Sequence, residues 1–403
     1  MKLRYWLGVI LAGLLLVTCG DDDESDPISI DIPEFADQAA IDDPIIQEYL
    51  ATHFYNEDQF VNPPEGFDFE IRFDTIAGEN ATRTPLIDQV TTVTINRNET
   101  EQTIYVLTAR EGVGEALNYT DSSLVTFQGA QLYRFDDVDL DGIPDFADVD
   151  AVDNVENEEP DTDGDGIIDT EDADNDGVAG TDAGVIDVDG DGIIDNTIGI
   201  FDGATTPVWF NLPGTVDGFQ QGVEGFREGS GFIVNDDGTT TFNNDYGIGA
   251  LFIPSGLGFF ASPPPGSGVG LFSNIVFTFS VFERRVTDHD GDGIISIMED
   301  IDGNNFLADD IDNTDGDILP NFVDQDDDGD GVRTRLEILL DDEGNLIGFI
   351  DTDGDGINNN LDDDDDGDGI DTIDEIIINM ITNETTFPDG DGDGIPDYLD
   401  ADS

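Results

Sequence analysis

The sequence predicts an α+β protein in which one β-rich domain is interrupted by an acidic block and followed by a second one. Two observations carry this. The first is charge: the 403-residue chain has a formal net charge of -83, and the acids are unevenly placed. Residues 135–200 hold 24 acids and no base, and residues 287–403 hold 39 acids against Arg333 and Arg335. The second is an apolar island: half of the 26 phenylalanines fall between Phe201 and Phe282, and from Gly203 to Phe282 there are six acids and one base, Arg227. Sparse charge among dense aromatics marks a packed core, and a concave aromatic surface suits an apolar ligand.

The elements follow in order. Residues 36–54 carry Ile41, Ile45, Ile46, Leu50 and Phe54 at helical spacing, with Pro44 in the first turn. Alternating runs at 67–73, 90–95, 103–109 and 123–127, separated by turn residues, predict strands, and strand-like sequence resumes at Phe201. The simplest account is one β-rich domain over 90–283 with 135–200 inserted in a loop. Residues 35–89 either pack against it or form a small preceding module. The acidity excludes a nucleic-acid partner, because phosphate is repelled along most of the chain, and calls for divalent cations as neutraliser. One cysteine, Cys19, excludes an intramolecular disulfide and a thiolate metal site. His53 and His289 are too isolated to suggest zinc.

The start of the chain explains Cys19. Lys2 and Arg4 precede a short apolar run, residues 6–17, too short to span a bilayer. Leu16-Val17-Thr18-Cys19 resembles a bacterial lipoprotein lipobox. The resemblance implies a signal peptide over 1–18, acylation at Cys19, a lipid-anchored tether over 19–34 and an outer-membrane location on the periplasmic or cell-surface face. Asp21, Asp22, Asp23 and Glu24 look like the acidic export tag of surface-exposed lipoproteins.

The acids themselves are patterned. Asp288, Asp290, Asp292, Gly293 and Glu299 stand at positions 1, 3, 5, 6 and 12 of a twelve-residue loop. Alternate carboxylates converge on a hard cation, glycine makes the sharp turn and position 12 closes the shell, so the spacing predicts calcium. It recurs with Asp326, Asp328, Asp330 and Glu337, and with Asp364, Asp366, Asp368 and Glu375. Loops closed by aspartate are Asp351, Asp353, Asp355, Asp362 and Asp389, Asp391, Asp393, Asp400. In the insert, Asp137, Asp139, Asp141, Asp148 and Asp161, Asp163, Asp165, Asp172 fit, and Asp187, Asp189, Asp191 make a shorter match. Asp315, Asp326, Asp330 and Glu337 reappear 38 residues later as Asp353, Asp364, Asp368 and Glu375. Flanking helices of EF-hand length are missing. The abutting loops and segments such as 393–400 resemble thrombospondin type 3 repeats, which implies a tail, 287–403, wrapped around structural calcium ions.

With the insert removed, the island resembles FKBP-type peptidyl-prolyl isomerases. The residues that carry this are Arg110-Glu111-Gly112-Val113-Gly114, Leu124 to Gly129, Phe201-Asp202-Gly203, Pro207 to Phe210, Val216 to Val223, Gly249 to Phe259 and Ile275 to Phe279. The resemblance implies a curved antiparallel sheet around one short helix. It also implies a pocket lined by Phe127, Phe201, Asp202, Val208, Val216, Phe219, Phe259, Val269 and Phe277, with the Val216 N–H holding the substrate carbonyl and no cofactor needed. Trp209, next to Val208, is then expected to report ligand entry. The chain departs from the family at three rings, with Phe127 and Phe259 where tyrosine is usual and Phe219 where tryptophan is usual. No arginine stands between Asp202 and Val208, 230–246 adds a polar hairpin, and Val269-Gly270-Leu271 replaces the usual Ile-Pro-Pro. The reading that results is a lipid-anchored isomerase assisting the folding of proline-containing exported polypeptides. The alternatives are a catalytically weak binding module serving an outer-membrane secretion machine, and a calcium-dependent adhesion or spacer protein.

Overall fold

The computed structural model describes residues 32–132, 199–382 and 384–402. The anchor residue Cys19 and the insert carboxylates from Asp137 to Asp191 lie outside the described residues. Helix α1, Phe35–Thr52, opens the described chain and starts earlier than the sequence suggests, so Pro44 lies in its interior and not in its first turn. Short elements follow: β1 His53–Tyr55, α2 Glu57–Val61 and β2 Phe73–Thr75, which pairs antiparallel with β1. The strand expected over 67–73 is mostly absent. Phe69 takes a left-handed φ of 61°, which no regular strand accommodates, and its ring lies under the Arg110 guanidinium, 4.9 Å from the centroid.

The main sheet is built from β3 Val90–Arg97, β4 Thr100–Arg110, β5 Ser122–Leu132, β6 Gly199–Asn211, β9 Gly247–Ile253 and β10 Asn274–Arg285. Helix α3, Asp217–Gly222, and the hairpin β7 Phe232–Val234 and β8 Thr240–Phe242 intervene between β6 and β9. The strand order is β3-β4-β9-β10-β5-β6, every pair antiparallel. Register shifts in β4, β5 and β10 mark bulges, which bend and twist the sheet. The expected α+β class, an antiparallel sheet with a short helix against it, is what the chain adopts.

Strand alternation sends successive residues to opposite faces, and both faces are covered. Ile104, Val106, Leu251, Ile253, Ile275, Phe277, Phe279 and Val281 pack with Phe219 and Val223 of the α3 region. Tyr105, Leu107, Ala250, Phe252 and Val276 pack on the other face with Ile46, Tyr49 and Leu50 of α1. Residues from Phe35 to Leu86 therefore complete the second layer on the same sheet. Every residue of β9 is buried as a result. Burial of one such Leu, Ile or Phe side chain contributes roughly 1.5–3 kcal/mol. Gly218 lets α3 lie this close to β9, since a Cβ there falls 2.2 Å from Ile253 Cγ2.

The tail is a run of turns with three pieces of regular structure repeated at low count. Short helices α4 Thr334–Glu337 and α5 Thr372–Glu375 each lead into a hairpin, β11 Ile338–Leu340 with β12 Leu346–Phe349, and β13 Ile377–Asn379 with β14 Glu384–Thr386. Its apolar content is small, with Val332, Ile376 and Tyr398 forming its buried cluster. Among the described residues no helix is long and apolar enough to cross a membrane.

Candidate functional site

One face of the sheet, the one that carries α3, gathers aromatic rings. Phe277 on β10 meets Phe219 of α3 at 5.0 Å between centroids and Phe201 of β6 at 5.8 Å, both edge-on. Phe201 meets Phe259 at 5.9 Å, again edge-on, and Phe127 of β5 stands 6.3 Å from Phe277. Edge-to-face contact places the positive rim of one ring on the negative face of the next. Phe219 and Phe277 are buried at the floor, while Phe127, Phe201, Phe259 and Val216 are half-buried around them. Gly129 makes room for the assembly: a Cβ there falls 2.7 Å from Phe277 Cε1 and 2.8 Å from Phe201 Cζ.

Val216 is the N-cap of α3, and its carbonyl accepts from Phe219 and Gln220 N–H. Among the described residues no acceptor takes its own N–H, which is therefore available to a carbonyl. Asp202 is exposed, and in place of the arginine that the sequence lacks it has the Gly203 N–H, which donates to Oδ1 at 2.8 Å. Val269 is buried in the loop before β10, apart from the ring cluster, with both flanking peptides bonded to the Gln131 side chain.

Besides Val269, which was expected to line the pocket, two sequence placements differ. Val208 is exposed on β6, the edge strand, and is not part of the ring cluster. Phe210 is, with its ring 4.7 Å from Phe127 and 5.6 Å from Phe219. The register between β5 and β6 slips between Ala204 and Val208, which strand alternation alone does not reveal. Trp209 points the other way and is stacked under Arg285, whose guanidinium carbon lies 4.2 Å from its ring. Its ring lies outside the ring cluster.

The loop carrying Phe259 is fixed from the far side of the sheet by Asp42 of α1, which the sequence did not single out. Asp42 is fully buried, and its carboxylate accepts from Gln38 Nε2 at 2.7 Å, Ser255 N at 2.9 Å and Ser255 Oγ at 2.6 Å. Burial raises its pKa, and these donors act in the opposite direction. The next turn is strained, with Phe260 at a left-handed φ of 46° and its ring 5.2 Å from Phe35 of α1.

The tail carboxylates form clusters, and consecutive loops share them. Oxygens of Asp290, Asp292, Glu299 and Asp327 lie within 4.8 Å of one another, as do those of Asp330, Glu337 and Asp365. Further groups are Asp326, Asp328, Asp330 and Asp315, Asp317, Asp324. Asp327 and Asp365 stand second in their own loops, a position the alternate spacing passes over. Their 38-residue separation was the available signal.

Glu299 and Glu337 are buried with no hydrogen-bond partner on either oxygen. Burial first, then the neighbouring aspartates, push Glu299 up to about 10 and Glu337 up to about 11. The same causes push Asp327 and Asp365 to about 8 and raise Asp290, Asp328 and Asp330. Uncompensated buried carboxylates at these positions are what an oxygen-coordinated cation satisfies, so the donor set fits calcium. The loops are already shaped for it, with Gly291 and Gly293 N–H donating to Asp288, and Gly392 and Gly394 N–H to Asp389.

Residues 289–350 match the family model described as BamM C-terminal. Among curated proteins none matches the chain. Solved structures similar to it are FKBP-type isomerases at low identity. A peptidyl-prolyl cis-trans isomerase from Pseudomonas syringae pv. tomato is 12% identical over 49% of this chain and 80% of its own, with a TM-score of 0.24. FkpA from Escherichia coli is 14% identical over 62% of each chain, with a TM-score of 0.26. The N-terminal domain of FKBP42 from Arabidopsis thaliana is 8% identical over 45% of this chain and 86% of its own, with a TM-score of 0.23. Scores this low do not place the chain by themselves, and its fold class rests on the strand order, register and helix described above.

Proposed function

We propose that the aromatic domain is an FKBP-type peptidyl-prolyl isomerase module that acts on exported polypeptides, carried on a lipid anchor at Cys19 and ending in a calcium-ordered tail. One observation carries the reading: five phenylalanines, Phe127, Phe201, Phe219, Phe259 and Phe277, converge beside an unpaired backbone donor at Val216. The X-Pro amide resists rotation because resonance holds it planar, with a barrier of about 18–20 kcal/mol. A water-free aromatic hollow favours the twisted amide, which is less polar than the planar one. The Val216 N–H holds the substrate carbonyl while the proline ring sits over Phe219 and Phe277. No nucleophile is required.

Calcium, when bound, supplies positive charge that lets the tail carboxylates approach one another. The residues that would hold it are Asp290, Asp292, Glu299 and Asp327 in one cluster and Asp330, Glu337 and Asp365 in the next. Binding and ordering are coupled, because the site does not exist in the open chain.

The test is a proline-peptide isomerisation assay on the full chain in calcium. Acceleration by the wild type, reduced by Phe277→Ala, is expected. Phe259→Tyr restores the hydroxyl that the chain lacks and should raise the rate about fivefold, the equivalent of one hydrogen bond of about 1 kcal/mol. A wild type without acceleration and without rescue by Phe259→Tyr overturns the catalytic reading.

A second reading draws on the BamM C-terminal match over 289–350: the module binds proline-bearing segments as an accessory of outer-membrane machinery. Co-purification of outer-membrane assembly components with the chain from detergent-solubilised membranes supports it, and a chain that purifies alone refutes it.

A further inference from the structure

Immediately after the loop 288–299 the chain makes a turn that the repeat pattern does not describe. Asp300-Ile301-Asp302-Gly303-Asn304-Asn305 has acids at the first two alternate positions only, and asparagine where the others have their sixth-position glycine. Asn305 nevertheless takes a left-handed φ of 68°, as Gly293, Gly331 and Gly369 do in their loops. The backbone closes in the same way. Gly303 N–H donates to Asp300 Oδ1 at 2.8 Å and Asn305 N–H to Oδ2 at 2.9 Å, the counterparts of Gly291 and Gly293 on Asp288. The closing acid arrives one residue late, at Asp312.

One oxygen from each of Asp300, Asp302 and Asp312 lies within 4.8 Å of the other two. Independently of that cluster, Asp312 is completely buried with one oxygen unsatisfied: Oδ1 accepts the Ile301 N–H at 2.6 Å, and Oδ2 has no partner. A buried carboxylate oxygen with nothing on it is costly unless a cation takes it.

The same turn is the joint between the tail and the aromatic domain. Tyr119, fully buried, donates its hydroxyl to Asp300 Oδ2. Gln221 Nε2 of α3 donates to the Asn305 carbonyl at 2.6 Å. Phe306 packs against the core cluster that contains Phe219, and the Arg97 guanidinium, 4.8 Å from its centroid, also pairs with Asp217 of α3 at 3.1 Å. We propose that Asp300, Asp302 and Asp312 bind a further calcium ion, in a degenerate loop that fastens the tail to the helix flooring the aromatic hollow. The proposal rests on the reading of the tail as calcium-binding but concerns residues outside its repeats.

The test uses terbium as the calcium probe on the full chain, together with the number of calcium ions bound at equilibrium. Because Tyr119 bonds to a ligand carboxylate, its ring sensitises emission from an ion held there. Asp302→Asn, on the exposed side, should lower the bound count by one and remove the same share of tyrosine-excited emission that Tyr119→Phe removes, with no further loss in the double variant. Asp312→Asn should do the same. Calcium should raise amide-exchange protection of residues 217–222 in the wild type and much less in Asp302→Asn. An unchanged count and emission in both aspartate variants overturns this site while leaving the repeats intact. A wild type that binds no calcium overturns the tail reading and this site together.

Discussion

Replacing Glu337 with glutamine should act in opposite directions with and without calcium. Glu337 closes the loop that begins at Asp326, is buried, and has no partner on either oxygen. Burial and the charges of Asp328, Asp330, Asp365 and Asp326 push it up to about 11 from an ordinary 4.5. A folded pKa above the unfolded one means that the folded tail binds the extra proton, so this contribution is intact below pH 4.5 and lost as pH rises toward 11. At pH 7 the loss is about 3 kcal/mol, at 1.36 kcal/mol per pH unit above the unfolded value. Glutamine does not ionise, so in EDTA at pH 7 the Glu337→Gln tail should resist proteolysis better than the wild type, and its advantage should grow from pH 5 to pH 7.5, while Glu299, Asp327 and Asp365 still weaken both tails over that range. In calcium the order reverses, because a charged ligand has been removed; a tenfold loss of affinity corresponds to about 1.4 kcal/mol. Limited proteolysis and calorimetric calcium titration of the full chain read both arms. A wild-type tail equally resistant in EDTA at pH 5 and pH 7.5, or a variant weakened in both conditions, refutes the reasoning.

Other perturbations probe the aromatic domain and the anchor. Gly129→Ala drives a methyl into Phe277 and Phe201 and should cost about 1–3 kcal/mol by denaturant unfolding, with isomerisation falling alongside. Asp42→Ala strands the Ser255 hydroxyl in a buried site, at about 1–3 kcal/mol for the unmet donor, while the Ser255 N–H keeps Asn274 Oδ1 at 3.1 Å; exchange protection of residues 255–260 should fall in step, whereas exposed Glu48→Ala should leave both unchanged. Cys19→Ser should abolish palmitate labelling and move the chain to the soluble fraction, and unchanged membrane partitioning counts against the anchor.

Composition and spacing alone determined that the chain divides into an aromatic core and acidic segments, and that its acids recur in twelve-residue loops at a 38-residue period. These are local properties: alternation, helical spacing and glycine after the third acid are written over a few residues each. The helix at Phe35–Thr52 and the strands from Val90 onward were legible for that reason, whereas the set Phe127, Phe201, Phe219, Phe259 and Phe277 came only from the resemblance to a known family.

Only the tertiary structure decided the rest. It covered the second face of the sheet with α1, put Asp42 beneath Ser255, and exchanged Val208 for Phe210 through a register slip that no single strand encodes. It also made Asp327 and Asp365 neighbours of the preceding loop and joined Asp300 to Tyr119 across 181 residues. Each of these depends on which surfaces bury one another, and burial is a property of the folded chain. A short motif specifies its own turn, but the desolvation that leaves oxygens of Glu337 and Asp312 unsatisfied arises only when distant segments close over them.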